Sequence, residues 1–274
     1  MKRFAFAALG GLVCASAISC QISDNTTDKK LDQLSARVAA IETQLSRRGP
    51  APAARTKPKR PDPKTVYAVP VTGEDPYRGG EHAKVTVVEA YDFACPYCAM
   101  LQPVMSALLD HYDDDDLKVV SKMLVIHRQI ATDAALAACA ANEQGKFAAF
   151  EAALWKSVWE LGARPKIHRE NLTAAAIEKI AGSAGLDVTK LKEDMAGAGC
   201  RQSVARNHAE LSRLGVNWTP QIYINGRPYA GPRTVDALER TIDAEIARAN
   251  EAISHGQKLA DYYASLTKDG KKTL

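Results

Sequence analysis

The sequence predicts an α/β domain that carries an inserted helical subdomain and follows a helical stalk. Three observations point there. A β-branched run, Val85-Thr86-Val87-Val88, delivers Cys95-Pro96-Tyr97-Cys98 to the start of a stretch of helical composition. An alanine-rich, helical region at about 131–214, with no strand pattern, separates the first strands from a second strand-rich segment at 221–230. Ahead of residue 50 apolar residues recur every three or four positions, after which proline, alanine and basic residues take over.

Residues 1–20 read as an export signal: Lys2 and Arg3 supply the positive start, and 4–13 form an apolar stretch too short to span a bilayer. Two cleavage readings compete, one after Ala15-Ser16-Ala17 and one before Cys20 in Ala17-Ile18-Ser19-Cys20. The second resembles a bacterial lipoprotein box, with Ala17 where leucine is most common. It is preferred, because a lone cysteine closing an export signal is otherwise hard to explain. Cys20 is then lipidated and attaches the chain to a membrane. Either reading places the protein outside the cytoplasm, on the periplasmic side of a cell envelope.

In the stalk, 21–49, Leu31, Leu34, Val38, Ile41 and Leu45 hold an a/d spacing that ends at Gly49-Pro50. A seam this narrow predicts a short parallel coil between copies of the chain, although it covers fewer than three heptads; an amphipathic helix docked on its own domain is the alternative. Residues 50–64, rich in Pro, Ala, Lys and Arg, cannot bury apolar surface and read as an extended linker. The globular domain is expected at 65–250. It opens with an edge strand at 67–71, a turn-rich stretch at 73–82, the strand at 84–91, and a helix to about His111. Asp113 to Asp116 make a solvated turn, and 117–125 is a second core strand. In the insertion 134–139, 147–159, 172–181 and 188–195 are candidate helices. Asn225-Gly226 is a strong hairpin turn joining 221–224 to 227–230. A helix at 234–250 closes the domain, and 251–274 is a helical, then frayed, tail.

The chain has 274 residues and a formal net charge of +4, slight for that length, which argues against a dedicated nucleic-acid binder. Its chemistry gathers at Cys95 and Cys98. At a strand-to-helix junction the first sulfur meets free backbone N–H groups, which favour a thiolate, and the second lies within reach to form a disulfide with it. A structural zinc site is the bland alternative, but it needs four ligands, and no second Cys-x-x-Cys or spaced histidine pair exists here. No metal or other cofactor is assigned. Of six cysteines, Cys14 and Cys20 belong to the signal, so Cys139 and Cys200 remain beside the motif. They read as a structural disulfide tying the insertion's ends together, with two separately buried thiols as the alternative.

Strand, Cys-x-x-Cys, helical insertion, and Thr219-Pro220 ahead of a terminal hairpin follow in that order, and the chain resembles the DsbA-like branch of the thioredoxin superfamily over about 67–250. Val85-Thr86-Val87-Val88-Glu89, Asp92-Phe93 and Cys95-Pro96-Tyr97-Cys98 carry the resemblance, supported by Gln144-Gly145-Lys146-Phe147, Leu214-Gly215-Val216 and Ile224-Asn225-Gly226. It implies a thioredoxin fold and a cis peptide at Thr219-Pro220 facing the cysteines. It also implies a catalytic set of Cys95 as nucleophile, Cys98 as resolving thiol, Pro220, and Glu89 as a buried acid relaying a proton; a salt bridge from Glu89 to Lys122 is the structural alternative. Pro96, Tyr97, Trp218 and Thr219 are expected to bind substrate, with Met100 on the apolar rim. Partners would be exported proteins bearing thiols or disulfides, and a membrane redox protein. Two departures stand out: Val125 replaces a frequent proline, and the stalk and linker resemble those of oligomeric envelope disulfide isomerases. The activity expected is to form, reduce or isomerise disulfides; the alternatives are a lipid-tethered chaperone or scaffold without redox turnover, and a thiol-based metal handler.

Overall fold

The computed structural model describes residues 25–47 and 60–274. The chain divides into two units, Met1–Lys57 and Pro58–Leu274. Cys20, the export signal and residues 50–59 of the linker lie outside the described residues. In the first unit the helix α1 (Asn25–Arg47) carries Leu31, Leu34, Val38 and Ile41, each more than half exposed.

The second unit is built around a five-stranded mixed sheet. Its elements run β1 (Tyr77–Gly79), β2 (Val85–Tyr91), α2 (Pro96–His111), β3 (Leu117–Met123), α3 (Arg128–Glu143), α4 (Phe147–Val158), β4 (Trp159–Glu160), β5 (Lys166–Ile167), α5 (Ala174–Ser183), α6 (Val188–Ala196), α7 (Ala198–Arg213), β6 (Gln221–Ile224), β7 (Arg227–Pro228), α8 (Val235–Ser254) and α9 (Tyr262–Thr267). The strand order is β1-β3-β2-β6-β7. β2 and β3 pair in parallel with Val85 opposite Leu117, and β6 joins β2 antiparallel with Val88 opposite Tyr223. All seven residues of β2 are buried, as a central strand covered on both faces requires.

Alternation along β2 separates the two layers. Val85 and Val87 pack with Leu101, Met105 and Leu108 of α2 and with Leu238 and Ile242 of α8. Val88 and Ala90 face the other way, onto Leu211 and Leu214 at the end of α7 and onto Tyr67 and Val69. Between β3 and β6 the five helices α3–α7 form the insertion. Seven alanines of α3 are buried. With so little side chain between them, neighbouring helices pack close around it, which accounts for the alanine-rich composition. Cys95 and Cys98 share this cluster with Phe150, Leu154 and Trp155 of α4, so the motif lies where the sheet meets the insertion.

Several expectations need correction. The stretch at 67–71 is no sheet strand: only Tyr67 bridges, to Lys271, and the edge strand is β1, inside the segment expected to be turns. The insertion is interrupted by the small antiparallel pair β4–β5, two residues each, too short to show a period. The second hairpin strand ends at Pro228, although Tyr229 N–H still donates to Ile222 O. The tail does not fray. Lys271 N–H donates to Val66 O, Tyr263 Oη donates to Val69 O, and Leu274 N–H donates to Arg213 O. The last linker residues belong to the folded unit: Pro61 is buried, a turn joins Thr65 N–H to Asp62 O, and Asp62 N–H donates to Tyr67 Oη. Lys122 does not reach Glu89. In the β2–β3 register it lies opposite Ala90, so it points to the other face and pairs with Asp75 at 2.8 Å and Glu210 at 3.1 Å.

Candidate active site

Asp92, the first residue after β2, organises the site. Its carboxylate is buried and accepts from Ala94 N–H at 2.7 Å, an Asx turn that bends the chain toward the helix. The other oxygen accepts from the N–H groups of Ile126 and His127, each at 2.7 Å, and meets His127 Nδ1 at 3.0 Å. One side chain thus clamps the loop before α2 to the loop after β3. From the insertion, Trp159 Nε1 donates to Phe93 O at 2.8 Å and holds the same loop from its other side.

Cys95 is the N-cap residue of α2, with extended backbone, and Pro96 follows in the first turn, where its missing N–H costs nothing. The Cys95 carbonyl accepts from Cys98 and Ala99 N–H. The two sulfurs stand as free thiols one turn apart in unlike surroundings. The Cys98 thiol hydrogen bond, helped by Thr219 and the N–H groups of Cys98 and Tyr97, outweighs desolvation and lowers Cys95 from its ordinary value near 9 to about 6. Burial, then the bond to Cys95, push Cys98 well above 9.

The peptide Thr219-Pro220 is cis. Its Thr219 carbonyl lies 3.5 Å from Cys95 Sγ, and Arg233 donates to Pro220 O at 3.0 Å, so the loop before β6 faces the sulfur. Around this mouth Tyr97, Met100 and Ile126 are exposed at 65%, 51% and 41%, an apolar rim beside a reactive sulfur. Trp218 is half-buried under the Arg60 guanidinium, 5.1 Å from the ring centre.

Glu89 lies fully buried, two residues before the end of β2. Gln102, one turn beyond Cys98 on α2, donates to its carboxylate at 3.1 Å. Burial raises Glu89 to about 8. Away from the mouth, Cys139 of α3 and Cys200 of α7 are joined by a disulfide with Cα atoms 5.5 Å apart. The structure therefore gathers Glu89, Cys95, Pro96, Tyr97, Cys98, Trp218, Thr219 and Pro220 around one end of α2, and leaves the second cysteine pair in the insertion. Asp92, Trp159, Ile126 and Arg60 were not singled out as site residues from sequence. Asp92 alone had a local signal, an Asp two residues before a small residue at a strand end.

A reactive thiol at a helix start, a buried partner one turn on and a cis-proline loop opposite make up the site of the thioredoxin-like thiol–disulfide oxidoreductase fold. The chain belongs to the thioredoxin family: the family profile described as Thioredoxin matches residues 71–244. Among solved structures it is similar to a thioredoxin-like oxidoreductase from Silicibacter pomeroyi DSS-3, with 27% identity and a TM-score of 0.53 over 66% of this chain and 94% of that one. It shares its fold with oxidised BdbD from Bacillus subtilis, at 22% identity and a TM-score of 0.58 over 67% of this chain and 98% of that one. It is also similar to the Na(+)/H(+) antiporter NhaA 3 of Salinispora tropica, 32% identical over 184 residues, which are 66% of this chain and 26% of the antiporter. The chain thus spans about a quarter of the length of that curated relative. Among the described residues no helix is long and apolar enough to cross a membrane.

Proposed function

We propose that this chain is an exported protein thiol–disulfide oxidoreductase that forms, reduces or isomerises disulfides in envelope proteins through Cys95 and Cys98. The observation that carries the reading is the unlike treatment of the two sulfurs: Cys95 is held near 6, while Cys98 is buried and held protonated.

In the oxidising direction a client thiolate attacks Cys95 Sγ of the Cys95–Cys98 disulfide. The S–S bond breaks, a mixed disulfide forms on Cys95, and Cys98 leaves as a thiolate that takes up a proton. A second client thiolate then attacks the client sulfur and releases Cys95 as a thiolate, so the client loses two electrons and the enzyme gains them. In isomerisation the Cys95 thiolate attacks a wrong client disulfide, and a different client thiolate later expels it with no net electron transfer. The Thr219 carbonyl and the Pro220 ring give an extended client an edge beside the sulfur, and Tyr97, Met100, Ile126 and Trp218 cover its apolar side chains.

A Cys95 value of about 6 lies closer to the value of about 7 for thioredoxin than to the 3.5 of the strong oxidant DsbA. That favours reshuffling or reduction over forced oxidation. The uncovered stripe on α1 favours the same direction, since a coil of several copies would hold one client between several sites. Lipidation at Cys20 and reduction or reoxidation by a membrane partner complete the reading. Two measurements test it. The reduced protein should restore activity to a test protein with scrambled disulfides, and Cys95→Ser should abolish this. The couple should equilibrate with glutathione well below roughly −120 mV, the DsbA value. Full activity of the Cys95→Ser variant in suppressing aggregation, with no redox turnover in the parent protein, would instead identify a chaperone.

A further inference from the structure

Beneath the motif lies a second buried acid that no cysteine motif contains. Glu151 of α4 is 1% exposed and Glu89 of β2 is 0% exposed. Glu151 is paired with Arg78 of β1, Nε to Oε2 at 3.2 Å, and accepts from Tyr91 Oη at 2.5 Å. Two residues along one strand face, Glu89 and Tyr91 point the same way, so the Glu151 pair and the Glu89–Gln102 bond border one space.

Beside it lies a cavity of about 410 Å³ between α2 and α4, lined among others by Arg78, Ala99, Gln102, Pro103, Glu151 and Trp155, with Glu89 behind its wall, one hydrogen bond away through Gln102. It is polar enough to hold water. Glu89 Oε2 and Arg78 Nη2 are buried without a hydrogen-bond partner among the described residues. Pro103, inside α2, has no N–H to give to the Ala99 carbonyl. Buried polar atoms in a roomy cavity are satisfied by water.

The charge count does not close. Two buried carboxylates share one guanidinium, and an unbalanced charge in the interior is neutralised by a proton. The groups facing Glu89 are Arg78 from β1, Tyr91 from its own strand, Cys98 and Gln102 from α2, Glu151 from α4 and, further off, Arg233 ahead of α8. Burial raises both carboxyls, and Glu151 adds to the effect on Glu89 while Arg78 opposes it.

We propose that Glu151, by holding the Arg78 guanidinium, is a positioning residue that keeps Glu89 protonated for Cys98, and that the cavity between α2 and α4 is the route by which Glu89 exchanges that proton with solvent. When the Cys95–Cys98 disulfide opens, Cys98 leaves as a thiolate and takes the proton of Glu89. The Glu89 carboxylate is then reprotonated from solvent through cavity water. Closing the disulfide runs the same proton outward. The role in turnover rests on the redox reading above, whereas the coupling of the two carboxyls does not.

The test uses the full chain and reads Glu89 itself, by the infrared carboxyl band across pH, together with the pH profile of disulfide opening by a small dithiol. Glu151→Gln leaves Arg78 to Glu89 alone, so Glu89 ionises at least tenfold more readily and the fall of the opening rate moves to lower pH by one unit or more. Arg78→Gln moves both upward, and Glu151→Asp restores the parent profile. Ser106→Trp, on the exposed wall of the cavity, leaves the charges in place and slows opening without moving the Glu89 band. Opposite shifts in the first two variants support the proposal, which generic damage would not produce. Shifts in the same direction, or an unmoved Glu89 band in Glu151→Gln, overturn it. Should Glu151→Gln not fold, an unmoved band in Arg78→Gln together with an unslowed Ser106→Trp overturns it equally. Coupled bands in a protein that never exchanges disulfides would defeat the redox reading and leave the coupling standing.

Discussion

Replacing Cys98 with alanine removes the largest single support of the Cys95 thiolate. The hydrogen bond from the Cys98 thiol leads the influences that hold Cys95 near 6, ahead of Thr219 and the N–H groups of the first helical turn. A hydrogen bond to a charged group contributes about 1.5–3 kcal/mol, and one pKa unit corresponds to about 1.4 kcal/mol. Cys98→Ala therefore carries the Cys95 midpoint from about 6 to roughly 7–8. At neutral pH the thiolate fraction drops from about nine-tenths to between roughly a half and a tenth. Since the thiolate is the nucleophile, alkylation by iodoacetamide slows about two- to tenfold. Cys98→Ser keeps a donor and moves the midpoint less. Thiolate ultraviolet absorbance across pH gives the midpoint, and alkylation rates give an independent value. The depressed value also carries a sign for stability. Between about 6 and 9 the unfolded Cys95 thiol is protonated and the folded one is not, so the reduced protein gains stability as pH rises through that window and loses it as pH falls through about 6. A Cys98→Ala midpoint equal to the parent's refutes the reasoning, because the backbone N–H groups would then hold the thiolate unaided.

Three further outcomes follow from other parts of the molecule. Removing the Cys139–Cys200 bond by a double alanine substitution opens a loop of 61 residues and costs about 4 kcal/mol in the chain-entropy account, read as a lower urea midpoint with Cys95 reactivity unchanged; an unchanged midpoint contradicts this. Asp92→Ala leaves three backbone donors without their acceptor, each costing about 1–3 kcal/mol where it stays dry, so the variant loses roughly 3 kcal/mol or more. A loss below about 1 kcal/mol would mean that water replaces the carboxylate. Val38→Asp places a charge in the centre of the exposed α1 stripe and converts the proposed oligomer to monomer in sedimentation, with the catalytic unit intact; a parent protein that already sediments as a monomer defeats the coil.

Local chemistry was legible in the sequence; of the long-range chemistry, the Cys139–Cys200 bond and the cis-proline loop opposite Cys95 were, and the buried charge pairs were not. The β-branched run became the central strand, and Asn225 and Gly226 adopt the two positive φ values, 45° and 78°, that their hairpin turn demands. The helical insertion showed in composition, though α7 was not separated from its neighbours and the two-residue strands β4 and β5 carried no period. Lys122 illustrates what pattern alone leaves open. Its chemistry fits Glu89, but the strand register, one residue off, turns it to the opposite face, toward partners 47 and 88 positions away in sequence. Glu151 was hidden for the same reason, as was the reach of Asp92 to Ile126 and His127, since those partners come from other elements. The seam on α1 was readable as a stripe, along which Leu31, Leu34, Val38 and Ile41 are exposed.

The central claim is that Cys95, and no other sulfur of the folded unit, exchanges bonds with client thiols. Its most direct test is to present the reduced Cys98→Ala protein with a disulfide-bonded peptide and map the adduct by mass spectrometry. A single mixed disulfide on Cys95, releasable by dithiol, is the predicted result. No adduct, or one distributed over Cys139 and Cys200, would contradict it.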